Sequence, residues 1–127
     1  MNIHQFCLEL FSDWKKKLQF NEWYFVRLEN DFLTNLPSED AFRSIPDLVD
    51  IILEQPPFQN EDDQFMYAEL LSILVDLVQK SATTEIPQRL VESLEPISVR
   101  AQSLDINQRK PIKDIRDWYR LEAVNED

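Results

Sequence analysis

Apolar side chains at Ile3, Phe6, Cys7, Leu10, Phe11, Trp14 and Leu18 recur every three or four positions, while Gln5, Glu9, Ser12, Asp13 and Lys16 fall between them. That is the spacing of a helix with one buried face, and it predicts a first helix over about 2–19. A second follows, with Asn21 as its cap, Glu22 at its positive end and Tyr24, Phe25, Leu28, Phe32 and Leu36 along its apolar face. Pro37 ends it. SEDAFRS at 38–44 suits one short turn, and SIPDLVDIILEQ at 44–55 reads as a new helix. There Ser44 and Asp47 stand in capping-box spacing, with Pro46 in the first turn.

The stretch EQPPFQNEDDQF at 54–65 carries two prolines, an aromatic and three consecutive carboxylates. Pro56 and Pro57 stop the preceding helix. Asn60 caps the next, and Glu61, Asp62 and Asp63 fall in its first turn, where each complements the helix dipole by about 0.3–1 kcal/mol. That helix, about 61–80, is apolar around most of its circumference, with only Glu69, Ser72, Asp76 and Gln79 as a polar strip. A helix of that kind packs on several sides, so residues 64–78 are the expected centre of the fold.

Downstream, 81–87 reads as a loop and 86–94 as a helix. Pro96 starts or kinks another helix over 96–104, NQRKP at 107–111 is a basic linker, and a last helix runs over about 111–123. IPDLVDIIL at 45–53 and IPQRLVESL at 86–94 are alike at an offset of 41 residues, within the range of about 40–47 for HEAT-type repeats. Proline-led helix starts resemble one another on physical grounds alone, so the pair fits either a repeat or two independent starts. The expected fold is all-α: a single-domain bundle of six to eight helices over residues 1–127, with a HEAT-like stack as one form of it.

Composition narrows the function. The chain has no glycine. Tight hairpins, phosphate-cradling loops and nucleophile elbows need positive φ or a close backbone approach, so those sites are excluded. Connections are expected to avoid positive φ or to use Asn for it. The lone His4 and lone Cys7 exclude the usual zinc, Cys/His and di-metal arrangements, and Cys7 on its apolar face is expected to be a buried thiol. No glycine exists for an EF-hand loop. The expectation is no enzyme activity, no cofactor and no metal.

Net charge is −11, and it is unevenly spread. Residues 21–99 hold sixteen acids against Arg27, Arg43, Lys80 and Arg89, net −12, while the two ends nearly balance. In the last segment Asp114 and Asp117 alternate with Lys113, Arg116 and Arg120, the pattern of a salt-bridged solvated face. A field of that sign repels nucleic acid and anionic membrane and attracts basic surfaces. No run approaches a membrane span and no secretory leader is evident, so the expected location is the cytoplasm. Asp47, Asp50 and Glu54 lie on one helical face, and Phe58 with Glu61, Asp62 and Asp63 follows in the next loop and turn. Acids around an exposed aromatic make a candidate partner-binding surface, where charge steers the encounter and the ring anchors it; the other reading of the same residues is a solvated helix face with Phe58 folded back onto the core.

The acidic segments SEDAFRSIPDLVDIILEQ and QNEDDQF, in a small helical acidic chain, resemble the immunity proteins of bacterial toxin–immunity pairs, including contact-dependent inhibition systems. The resemblance is one of overall character and spans the whole chain. It implies a cytoplasmic protein that neutralises a cognate toxin domain by covering its active site, with a nuclease as the most concrete toxin. Residues 47–63 would then occupy the groove that otherwise holds nucleic-acid phosphate. The alternative expectation is a structural adaptor or regulatory subunit docking a peptide in an apolar helical groove.

Overall fold

The computed structural model describes residues 2–121. Among them are seven α-helices and one short 3-10 turn, with no strand: α1 Ile3–Phe11, α2 Trp14–Phe20, α3 Tyr24–Thr34, α4 Ser38–Leu53, α5 Glu61–Lys80, α6 Gln88–Arg100, the turn Ala101–Ser103, and α7 Ile106–Tyr119. The architecture is all-α in a single domain, as the periodicity requires. The C-terminal end of the last predicted helix, beyond residue 121, lies outside the described residues.

The longest helix is the hub. α5 packs against α4, α7 and α3, and α4 in turn carries α6 and α1. Met66, Tyr67, Leu70, Leu71, Ile73, Leu74, Val75, Leu77 and Val78 of α5 are all buried. Its limits follow the local signals closely: Asn60 Oδ1 accepts from Asp63 N at 3.0 Å, and the helix runs from Glu61 to Lys80.

Four expectations are corrected. The first helix is broken in two at Ser12–Asp13, where Asp13 takes a left-handed conformation (φ 53°). Ser and Asp compete for backbone groups and are weak helix formers, so a break there costs little. The turn seats Trp14 against Phe25 and Phe65, with ring centroids 5.9 and 5.4 Å away. Asn21 does not cap α3. It closes α2, and its Oδ1 accepts from Trp23 N at 3.0 Å.

The second correction concerns proline. Residues 38–53 form one helix with Pro46 inside it, and Pro96 and Pro111 lie inside α6 and α7. Ser44 and Asp47 form no capping box, and the Ser44 hydroxyl donates to the Asp40 carbonyl at 2.8 Å. The expected basic linker at 107–111 is the start of α7, capped by Asp105 in a capping box with Gln108. An interior proline costs about 3 kcal/mol. In α4 the continuous helix buries Ala41, Ile45, Leu48, Val49 and Ile52 in one stripe. Each large side chain there is worth about 1.5–3 kcal/mol, so burial outweighs the proline.

Third, the Ile-Pro pair sits in the third turn of α4 but leads into α6, whose N-cap is Pro87. It therefore marks no equivalent starts of a repeat. Fourth, positive φ is neither avoided nor given to Asn: Asp13, Ala82 and Arg120 adopt it.

Candidate functional site

The structure divides the seven candidate residues by role. Asp47, Glu54 and Glu61 are exposed and make no ion pair or side-chain hydrogen bond with the described residues. Asp50 pairs with Arg89 of α6 at 2.7 Å. Asp62 pairs with Lys15 of α2 at 2.6 Å. Both are surface pairs, a class worth about 0–1 kcal/mol. Asp63 serves the helix start: its Oδ2 accepts from Gln59 N at 2.9 Å.

Phe58 is placed differently from an exposed anchor. It is half-buried, meets the ring of Tyr67 edge-on at 5.1 Å, and lies under the Arg100 guanidinium at 4.6 Å. Arg100 also stands 4.8 Å from the Tyr67 ring and donates to the carbonyls of Gln55 and Pro56. Those carbonyls follow the end of α4, where carbonyls lack helical partners. Arg100 thus ties the loop down, a role no local pattern reveals because its partners lie more than 40 residues away in sequence.

Two adjoining depressions flank the start of α5. One, of about 370 Å³, is lined by Phe11, Trp14, Lys15, Phe58, Asp62 and Arg100 among others. The other, of about 560 Å³, is lined by Trp14, Leu18, Glu61, Asp62, Gln64, Phe65, Ser103, Asp105 and Gln108. Trp14 and Asp62 belong to both. The stacked rings of Trp14 and Phe65 (15° between planes) form an apolar wall, and the second depression carries three carboxylates and no cation in its lining.

A further acidic group was read from sequence only as a polar strip. α3 lays Glu29 across that strip of α5, next to Glu69 and Asp76. The Oε2 atom of Glu29 is enclosed without a donor. Burial, then the hydrogen-bonded Glu69 carboxyl, then the charges of Glu69 and Asp76 push the Glu29 pKa far above the usual carboxylate range. Asp76 is raised as well, by burial and then by Glu69. Two carboxyls in contact are best satisfied when a proton lies between them, so burial and the neighbouring Glu69 hold the Glu29 carboxyl toward its protonated form.

Among the described residues no group of three or more His, Cys, Asp or Glu is arranged to hold a metal ion. Cys7 is buried, and burial pushes its thiol up to about 12. His4 is exposed on α1. On the last helix Lys110–Asp114 and Lys113–Asp117 pair one turn apart, while Arg116 is buried and bonds Ser98. No helix of the described residues is long and apolar enough to cross a membrane.

The fold thus defines an all-α single-domain protein with an acid-rimmed surface at the start of its central helix. No family model, curated protein or solved structure matches the chain.

Proposed function

We propose that the protein is a non-enzymatic binding module for a basic protein partner, and in its most concrete form an immunity protein that covers the active site of a cognate toxin domain. The observation that carries this is the set of exposed carboxylates that have no partner among the described residues, Asp47 on α4, Glu54 at its C-terminal cap and Glu61 at the start of α5. Unpaired surface acids keep their field available to an approaching cation, whereas Asp50 and Asp62 are already partly neutralised by Arg89 and Lys15. The net −12 of residues 21–99 extends that field beyond contact distance. The cytoplasm is the proposed location, because a toxin must be met where it acts.

The test is co-expression with the product of the neighbouring gene, then association kinetics at about 50 and about 500 mM salt. Wild type should associate fast at low salt. Asp47→Lys with Glu54→Lys should slow association about tenfold there and flatten the salt dependence. Kinetics unchanged by the double reversal would refute the reading. A second reading, an adaptor that docks an apolar segment, draws on Phe20 at the end of α2 and Trp23 just before α3, which are 83% and 55% exposed. It predicts salt-independent binding lost on Phe20→Ser.

A further inference from the structure

α2 and α3 are the helices with the fewest buried side chains. α2 buries none, and α3 buries only Phe25 and Phe32. α5, by contrast, is buried along most of its length. Residues 14–34 also lie between two turns. Asp13 holds a left-handed conformation on one side, and residues 35–37 separate α3 from α4 on the other. Segments with few buried contacts open at a lower free energy than the whole fold. The contacts that cross from this segment to the rest include the Phe6–Phe32 stack at 4.5 Å and the rings of Trp14 and Phe25 on Phe65. The Tyr24 hydroxyl also donates to the Glu9 carbonyl at 2.7 Å, and Lys15 pairs with Asp62.

One further contact is unlike these. Glu29 of α3 lies on α5 with its Oε2 atom enclosed and without a donor among the described residues. The Glu69 carboxyl hydrogen-bonds it, and the charges that act on it are those of Glu69 and Asp76. α1 meets α3 through Phe6 and the Glu9 carbonyl, and α2 turns Lys17 over the Tyr24 ring at 5.4 Å. Neither supplies Glu29 with a counter-charge. Two carboxyls can hydrogen-bond each other only when one is protonated. With that proton gone, like charges face each other in a seam shielded from water, and opening the seam hydrates them.

We propose that residues 14–34 form a proton-latched flap: a proton shared between the Glu29 and Glu69 carboxyls holds α3 on α5, and its loss to water lets the flap swing out about residues 12–13 and 35–37. The latch is independent of the basic-partner reading. Closed, the flap buries Phe25 and Phe32 and lies across the polar strip of α5. Open, it bares them, so the two states offer different surfaces. The direction follows from linkage. The closed state binds more protons than the open state, in which Glu29 ionises near its ordinary value of 4.5. The latch is therefore complete below that value and weakens as pH rises, until Glu29 ionises in the closed state too.

Hydrogen exchange of the full chain, read by mass spectrometry and corrected for the intrinsic chemical rate at each pH, follows the opening. From about pH 6 to about pH 9 the amides of α3 should exchange faster by up to about tenfold per pH unit, the limit that one released proton sets. Residues 66–78 should stay protected over the same range. Glu29→Gln keeps the shape and donates to Glu69 without a titrating proton, so its α3 should show no pH slope. Glu69→Gln, whose amide can donate to Glu29, should flatten the slope as well. Glu22→Gln, at an exposed acid just before α3, should keep the wild-type slope. A carbon-13 NMR titration of the Glu29 carboxyl reads the proton itself. The latch is overturned if Glu29 titrates in the ordinary carboxylate range, if wild type shows no slope, or if Glu29→Gln retains it. Loss of protection at residues 66–78 in step with α3 would overturn it too, because the whole bundle would then be unfolding rather than a flap opening.

Discussion

Removing the Arg100 side chain should loosen the α4–α5 loop and, through it, the bundle. Arg100 donates to two loop carbonyls and covers two rings. A hydrogen bond from a charged donor is worth about 1.5–3 kcal/mol. The Gln55 bond is partly buried and the Pro56 bond is exposed, so about 1.5 and about 0.5 kcal/mol are reasonable shares. Each cation–π contact adds about 0.5–1 kcal/mol. Arg100→Ala should therefore cost about 3–4 kcal/mol, a large part of the stability typical of a small domain. Urea unfolding followed by far-UV circular dichroism measures this, with an unchanged m-value as the check that only stability moved. Arg100→Lys keeps the charge but loses the fork and should recover about half. Combined with Phe58→Leu, the loss should be less than additive by about 0.5 kcal/mol or more. A loss below about 1 kcal/mol for Arg100→Ala would mean that the guanidinium sits free in water, and the account of the loop would fail.

Two further outcomes follow from the buried acid and the strained turn. Glu29 holds its proton in the folded state, whereas in the unfolded chain it ionises near its ordinary value of 4.5. Above that pH the folded state binds more protons, so stability falls as pH rises until the folded group also ionises. The charges that act on Glu29 are both acidic, from Glu69 and Asp76 of α5. The other neighbours of α3 turn rings and a cation elsewhere: α1 stacks Phe6 on Phe32, and α2 places Lys17 over Tyr24. Glu29→Gln should match wild type near pH 4 and exceed it by about 1 kcal/mol or more at pH 8, and a wild-type pH slope in the variant would sink the argument. Ala82, exposed just after α5, has φ 57° and donates to the Gln79 carbonyl at 3.1 Å. The left-handed conformation costs a non-glycine residue about 1–2 kcal/mol, of which glycine's own entropy takes back part. Ala82→Gly should stabilise by about 0.5 kcal/mol, and a destabilised variant in calorimetry would show that the turn carries no strain.

How far residues alone reach is visible in the two kinds of element. α5 was legible to its ends because every signal is local: a capping Asn60, acids at the dipole, and apolar positions that admit one geometry. The carboxylate surface was legible as charge for the same reason. Phe58 was not, because a ring before a helix looks the same whether it faces water or Arg100. The Glu29 acid was hidden too, since the strip it covers reads as solvated until α3 lies across it.

By itself, then, the chain determined an all-helical fold, its central helix and its acidic field, since hydrophobic period, caps and charge act within a few residues. Tertiary structure alone decided that helices run through Pro46, Pro96 and Pro111 and that the first helix breaks at Asp13. It also decided which acids remain unpaired. Those outcomes depend on partners distant in sequence, where burial of a stripe or the reach of one cation outweighs the local preference.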